Sequence, residues 1–234
     1  MALQIQTFKT RAITAIVFAV VMLAGILLNA WTFIILFLAI MVGCVYEFVK
    51  IIKLINGEKY IYYLPLFLLY IVMPVWMMID LGTRLNNYAA PGNDNLLYSP
   101  ILPLAIIFSI WINDTMAYIV GSFIGKTPFS KISPKKTWEG TIGGAILCVL
   151  TISLLGYFLP IIKYIPVQHW TAIAAICAVF GTLGDLLESK LKRTAGIKDS
   201  GSFMPGHGGF LDRFDSLLIA TPFAWMYVVL FMHA

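Results

Sequence analysis

Apolar residues run in blocks along most of this chain, and the polar positions fall between the blocks rather than alternating within them. A helix needs about 20 apolar residues to cross roughly 30 Å of hydrocarbon. Residues 12–28, 30–52, 60–81, 99–122, 140–162, 170–187 and 214–233 each meet that length or come near it. About seven spans are therefore expected. Helix is the required form, because an open strand in lipid would leave backbone N–H and C=O groups without partners. The expected fold class is all-α, a polytopic membrane helix bundle with a cytoplasmic N-terminus.

Composition strengthens this reading. The chain is 60% hydrophobic and 12% charged, with a mean hydropathy of +0.89, whereas soluble domains carry about a quarter charged residues. The net charge of +5 would suit nucleic acid, but the placement of the basic residues argues against that partner. With the N-terminus inside, all but Arg84 and Lys163 of the 16 Lys and Arg residues fall on one side. Such an asymmetry sets orientation, N-terminus in and C-terminus out, and turns the basic side toward anionic lipid heads and cytosolic phosphates. The opening segment, with Lys9 and Arg11 before an apolar run, has the look of a signal peptide. Leu28, Asn29 and Ala30 offer no small-x-small cleavage site, so it is expected to stay as the first span. Cys44, Cys148 and Cys177 lie inside expected spans without metal-ligand spacing and read as small buried apolar residues.

The polar residues divide the chain in two. Residues 1–98 read as N-terminal membrane spans with nothing catalytic; Glu47, near the cytosolic end of the second span, is expected to snorkel or to pair with Lys50 three residues on. Residues 82–98 are turn-rich and form an outer loop. Residues 99–234 read as a catalytic membrane domain with its active site on the cytosolic face. Asn113 and Asp114 sit near the middle of a span, where an ionisable group is either functional or part of an interhelical hydrogen-bond pair. The loop "GKTPFSKISPKKTWEGTIGG" gathers Lys126, Lys131, Lys135 and Lys136 among Thr127, Ser130, Ser133 and Thr137. Ammonium groups with hydroxyls suit a polyphosphate, although an ordinary positive-inside loop has the same basic count.

The densest chemistry lies late in the chain. Asp185, Glu188 and Ser189 share one helix face, and Asp212 and Asp215 head the last span. Two acidic helix ends of this kind supply the oxygen ligands that Mg2+ prefers, usually one or two carboxylates with substrate phosphates. His169, His207 and His233 are too far apart for a zinc set. Gly201, Gly206, Gly208 and Gly209 let the backbone turn or approach a ligand closely. Lys190, Lys192, Arg193, Lys198 and Arg213 can hold phosphates. A transporter of a phosphorylated anion, with Asp114 and Asp185 lining its path, is the rival of another class; no internal repeat supports it.

The run Ser189, Lys190, Leu191, Lys192, Arg193, Lys198, Asp199, Gly201, Pro205, His207, Gly208, Gly209, Phe210, Asp212, Arg213, Asp215 resembles the signature of the phosphatidate cytidylyltransferases, or CDP-diacylglycerol synthases. Met204 is a conservative departure from it. The "SPKKTWEG" loop and the Asn113–Asp114 pair also resemble family features, so the similarity covers roughly residues 99–233; the first hundred match only in being spans. The resemblance implies transfer of a cytidylyl group from CTP to phosphatidic acid, giving CDP-diacylglycerol and pyrophosphate, at a bacterial inner membrane with the site facing the cytosol. It implies Mg2+, alone or with a second cation, on Asp185, Asp212 and Asp215, with Asp199 and Lys198 as further catalytic candidates. Ser133, Lys135, Lys136, Lys192, Arg193 and Arg213 would bind phosphates of CTP or lipid. His207, Gly208 and Gly209 would shape the nucleotide pocket, or His207 would merely bond the turn. Small residues in spans one and five allow close helix approach and are compatible with a homodimer among membrane lipids.

Overall fold

The computed structural model describes residues 5–83, 98–204 and 208–232, with backbone alone for 5–11. Among them run seven α-helices: α1 (Ile5–Leu27), α2 (Ala30–Asn56), α3 (Met73–Thr83), α4 (Ile101–Ile124), α5 (Trp138–Phe158), α6 (Val167–Thr194) and α7 (Leu211–Tyr227). Five helical stretches are long and apolar enough to cross a membrane, and Ala12–Leu27 and Leu68–Thr83 are shorter apolar helices. The chain is an all-helical integral membrane protein. Large apolar side chains such as Trp31, Val42, Tyr62, Phe123 and Phe158 remain exposed, while Phe33, Phe37, Ile51, Ile71, Met78 and Ile106 fill the interior.

The expected span 60–81 differs most in form. Gly57–Tyr63 is a tight 3-10 segment, and a π-type turn over Leu68–Val72 leads into α3. Gly57 turns the chain with φ +53. Pro65 and Pro74 lack the N–H that a continuous helix would need; without a donor at 74 the carbonyl four residues back loses its regular partner, where a wider turn is the usual accommodation. Most of the expected outer loop at 82–98, with Arg84, lies outside the described residues.

Between helices in lipid, burial supplies little attraction, so close van der Waals contact and hydrogen bonds do the work. The α4–α5 and α6–α7 pairs are the most extensive. A Cβ placed on Gly144 of α5 would lie 2.6 Å from the backbone nitrogen of Ala117 on α4, and one on Gly140 would lie 2.7 Å from the Ala117 carbonyl oxygen. Because the obstacle is backbone, Gly144→Ala should force the helices apart and lower stability by about 1–3 kcal/mol. The thermal midpoint in detergent checks this; an unchanged midpoint would show that the two helices have slack.

Antiparallel α6 and α7 are tied at one end by His169 Nδ1 and the Tyr227 hydroxyl, 3.0 Å apart. Nearby on α7, Trp225 Nε1 donates to Asp80 of α3 at 2.8 Å. Further along, a Cβ on Gly184 of α6 would meet the Asp215 carbonyl oxygen of α7 at 2.5 Å, so the backbones touch where the acidic residues begin. Several serine and threonine hydroxyls within the helices donate one turn back, as Ser109 does to Ala105 and Thr221 to Leu217, which satisfies them inside hydrocarbon.

Candidate active site

The site grows from three pieces of chain. The first is the loop between α4 and α5, which is built rather than slack. Phe129 N–H donates to Lys136 O at 2.8 Å and Trp138 N–H to Thr127 O at 3.0 Å. Glu139, in the first turn of α5, accepts from the backbone of Lys126 and Thr127 and from the Thr127 hydroxyl. The Thr137 hydroxyl caps α5 through Gly140 N–H at 3.1 Å. Held in this way, the loop delivers Lys136 to Asp185 of α6 as an ion pair. Asp185 also accepts from Ser189 at 3.2 Å.

The second piece is the end of α6. Lys192 places its ammonium 2.5 Å from Glu188 and 2.5 Å from Asp212, so one cation joins α6 to the head of α7. Glu188 is fully buried, and its Oε1 has no hydrogen-bond partner among the described residues. Beyond Lys192 the helix stops at Gly196, φ +70, where Ile197 N–H returns to Lys192 O at 3.0 Å.

The third piece runs from Ser200 into α7. Asp212 Oδ2 accepts from Ser200 N–H at 2.8 Å, Gly209 N–H at 2.8 Å and the Ser200 hydroxyl at 2.9 Å. Asp215, one turn on, is buried, accepts from Ser216 N–H at 2.6 Å, and lies within electrostatic reach of Asp185, Glu188 and Asp114. Asp114 retains exposed surface, and Lys136, Asp185 and Arg213 bear on it electrostatically. Asn113 is buried, with its Oδ1 lacking a partner among the described residues.

Of the residues expected at the site, Lys136, Asp185, Lys192, Asp212, Asp215, Asn113, Asp114, Gly208 and Gly209 thus fall in one connected polar region. Ser133 is half-buried and gives its carbonyl to Lys136 N–H at 3.1 Å. Lys135, Arg193, Lys198, Asp199 and Arg213 are exposed; Lys135, Arg193 and Arg213 adjoin residues of that region in the chain, and Lys198 and Asp199 lead into Ser200, which bonds Asp212. His207 lies outside the described residues. Asp185 and Asp212 meet different lysines, and Lys192, expected on a phosphate, sits between two carboxylates.

One residue bonded to this polar region escaped the sequence reading. Glu47 neither snorkels nor pairs with Lys50: it is 4% exposed and accepts from the Ser200 hydroxyl, Phe210 N–H and Leu211 N–H. Gly43, four residues earlier on the same face of α2, was the available signal, since a Cβ there would strike the Phe210 ring at 2.5 Å. Beside this contact an open apolar groove of about 530 Å³ is lined by Ile35, Leu38, Ala39, Val42, Gly43 and Phe210.

Residues 66–231 match the profile of the Cytidylyltransferase family. The chain belongs to that family. Among curated members, it is 46% identical over 125 residues to a phosphatidate cytidylyltransferase of Bacillus subtilis, covering 52% of this chain and 45% of that protein. It is 44% identical over 142 residues to one from Staphylococcus haemolyticus, with coverage of 60% and 52%, and 42% identical over 130 residues to one from Synechocystis, with coverage of 53% and 41%. The chain thus spans about half the length, or less, of these cytidylyltransferases. The family match takes in all three pieces of the polar region and leaves Glu47 outside it.

Proposed function

We propose that this protein transfers the cytidylyl group of CTP to phosphatidic acid, releasing pyrophosphate and forming CDP-diacylglycerol at the cytosolic face of a bacterial inner membrane. The observation that carries the reading is the docking of the basic, hydroxyl-rich α4–α5 loop onto the acidic end of α6 by Lys136 and Asp185. It joins phosphate-binding cations to an oxygen-rich acidic centre in a lipid-embedded scaffold, and the family of the chain carries out nucleotidyl chemistry.

In this reaction a phosphate oxygen of the lipid forms a bond to the α-phosphorus of CTP as the bond from that phosphorus to the pyrophosphate oxygen breaks. A phosphomonoester has a second pKa of about 6, so its nucleophilic oxygen is already deprotonated at neutral pH. The work left to the protein is to hold two anions together and to offset charge on the departing pyrophosphate. Lys135, Lys136, Arg193, Lys198 and Arg213 supply those donors. The groove beside Phe210 offers an acyl tail an apolar berth next to the head of α7.

The donor chemistry also fits Mg2+. No three described His, Cys, Asp or Glu residues converge into a preformed cluster, but Mg2+ needs only one or two carboxylates when substrate phosphates complete its shell. The partnerless Oε1 of buried Glu188, one turn from Asp185 on α6, marks a spot where positive charge is wanted. Asp185 and Asp215 would hold the cation. Asp212, whose Oδ2 already accepts from the N–H groups of Ser200 and Gly209, would be a further ligand. Bound there, Mg2+ would act as a Lewis acid on the phosphates.

Labelled CTP and phosphatidic acid in detergent micelles test the proposal. Label should move into the lipid fraction with stoichiometric pyrophosphate, cease with EDTA and resume with Mg2+; label that only crosses into vesicles unmodified would mean a carrier instead. Lys136→Ala should raise the half-saturating CTP or phosphatidic acid concentration about tenfold, the value of one charge-assisted hydrogen bond. Unaltered dependence on both substrates would return the loop to topology alone.

A further inference from the structure

We infer that Glu47 of α2 is a positioning residue for the reaction centre: a buried strut that fixes the start of α7 and, through Ser200, the carboxylate of Asp212. The inference rests on the proposed transferase reading. Helix α7 begins without a side-chain cap of its own, and its first N–H groups have no partners within the helix. Glu47 supplies them from 163 positions upstream. Its Oε1 accepts from Phe210 N–H and its Oε2 from Leu211 N–H, both at 2.9 Å. Negative charge at a helix N-terminus is the favourable sign. Oε2 also takes the Ser200 hydroxyl at 2.6 Å, and that oxygen lies 2.9 Å from Asp212 Oδ2. A single hydroxyl therefore bridges the strut and the Asp212 carboxylate.

The glycines of the late polar stretch are shaped around this side chain. A Cβ at Gly201 or at Gly209 would lie 2.2 Å from Glu47 Oε1. Neither glycine has a positive φ, so conformational freedom is not the reason for them there; the carboxylate fills the space a side chain would take. With Gly43 closed against the Phe210 ring, one face of α2 is fitted to Ser200, Gly201 and the stretch from Gly209 to Leu211. No substrate needs to touch Glu47 for this to matter. The head of α7 carries Asp212, Arg213 and Asp215, and a small rotation of that turn displaces all of them.

Glu47→Gln keeps the volume but sets an amide NH2 against one of the N–H or O–H donors. The expected result is a kcat at least tenfold lower, with substrate KM values within about twofold, and faster amide exchange confined to the segment around residues 208–212. Exchange in α4 and α5 should stay as in the parent. Ser200→Ala should act in the same direction, and the double variant should be little worse than Glu47→Gln alone; it also serves as the test should Glu47→Gln fail to fold. Lys50→Ala, on the same helix, should change neither readout. Parental exchange in Glu47→Gln would overturn the strut, as would parental kcat despite loosened exchange, or fully additive effects in the double variant. If the parent protein transfers no cytidylyl group at all, the transferase reading fails, while the exchange measurement still decides whether Glu47 holds α7.

Discussion

Asp212→Asn should lower cytidylyl transfer at least a hundredfold, about 2.7 kcal/mol of added barrier, in a protein that still folds in detergent. The reasoning comes from the four groups this carboxylate serves. Oδ2 accepts from the N–H groups of Ser200 and Gly209 and shares the one Ser200 hydroxyl proton with Glu47, and Oδ1 meets Lys192. An asparagine can turn its oxygen toward these donors, but its NH2 then faces an ammonium; turned the other way, it presents the NH2 to the donors. Either choice sets donor against donor, and the lost charge leaves Lys192 to Glu188 alone. The fold should survive, because Glu47 still holds Phe210 and Leu211 and the α6–α7 backbones remain in contact at Gly184. Initial rates of label transfer and the thermal midpoint settle the matter. Activity within threefold of the parent would remove Asp212 from the reaction and leave it as a loop anchor.

The helices were legible in the sequence wherever an apolar block was long and uninterrupted, because crossing hydrocarbon leaves a chain no other option. The segment from residue 57 to 72 was not, since its tyrosines score as apolar length yet Pro65 within it and Pro74 just beyond it cannot complete a helical bond pattern. At the site, the residue types were visible and the partnerships were not. Glu188 and Lys192, four apart on one helix, announce a pair, but nothing local reveals that Lys192 reaches Asp212 as well. Glu47 was misread for the opposite reason: a lysine three residues away offered a local partner, while its actual donors lie more than 150 positions downstream. Local spacing is a guide to partners on one helix and is silent on which helices touch, which here is decided by small residues at Gly43, Gly144 and Gly184.

Gly208→Ala and Gly196→Ala should separate cleanly, although both glycines adopt left-handed backbone, φ +84 and φ +70. An alanine in that region costs roughly 1–2 kcal/mol at either position. Around Gly196 there is nothing within 4 Å of an added Cβ, so that variant should lose about 1 kcal/mol of stability and keep its transfer rate within twofold. At Gly208 the Cβ would lie 2.3 Å from Asp212 Oδ2. That oxygen cannot swing aside without surrendering the N–H groups of Ser200 and Gly209, so the strain is passed directly to the acidic head of α7. The expected result is a similar stability loss accompanied by at least a hundredfold fall in transfer. Thermal midpoints and initial rates measured side by side discriminate the two. Equal retention of activity would mean that the carboxylate of Asp212 has room to move during catalysis, and the rigid bond pattern around it would then cease to explain the glycine.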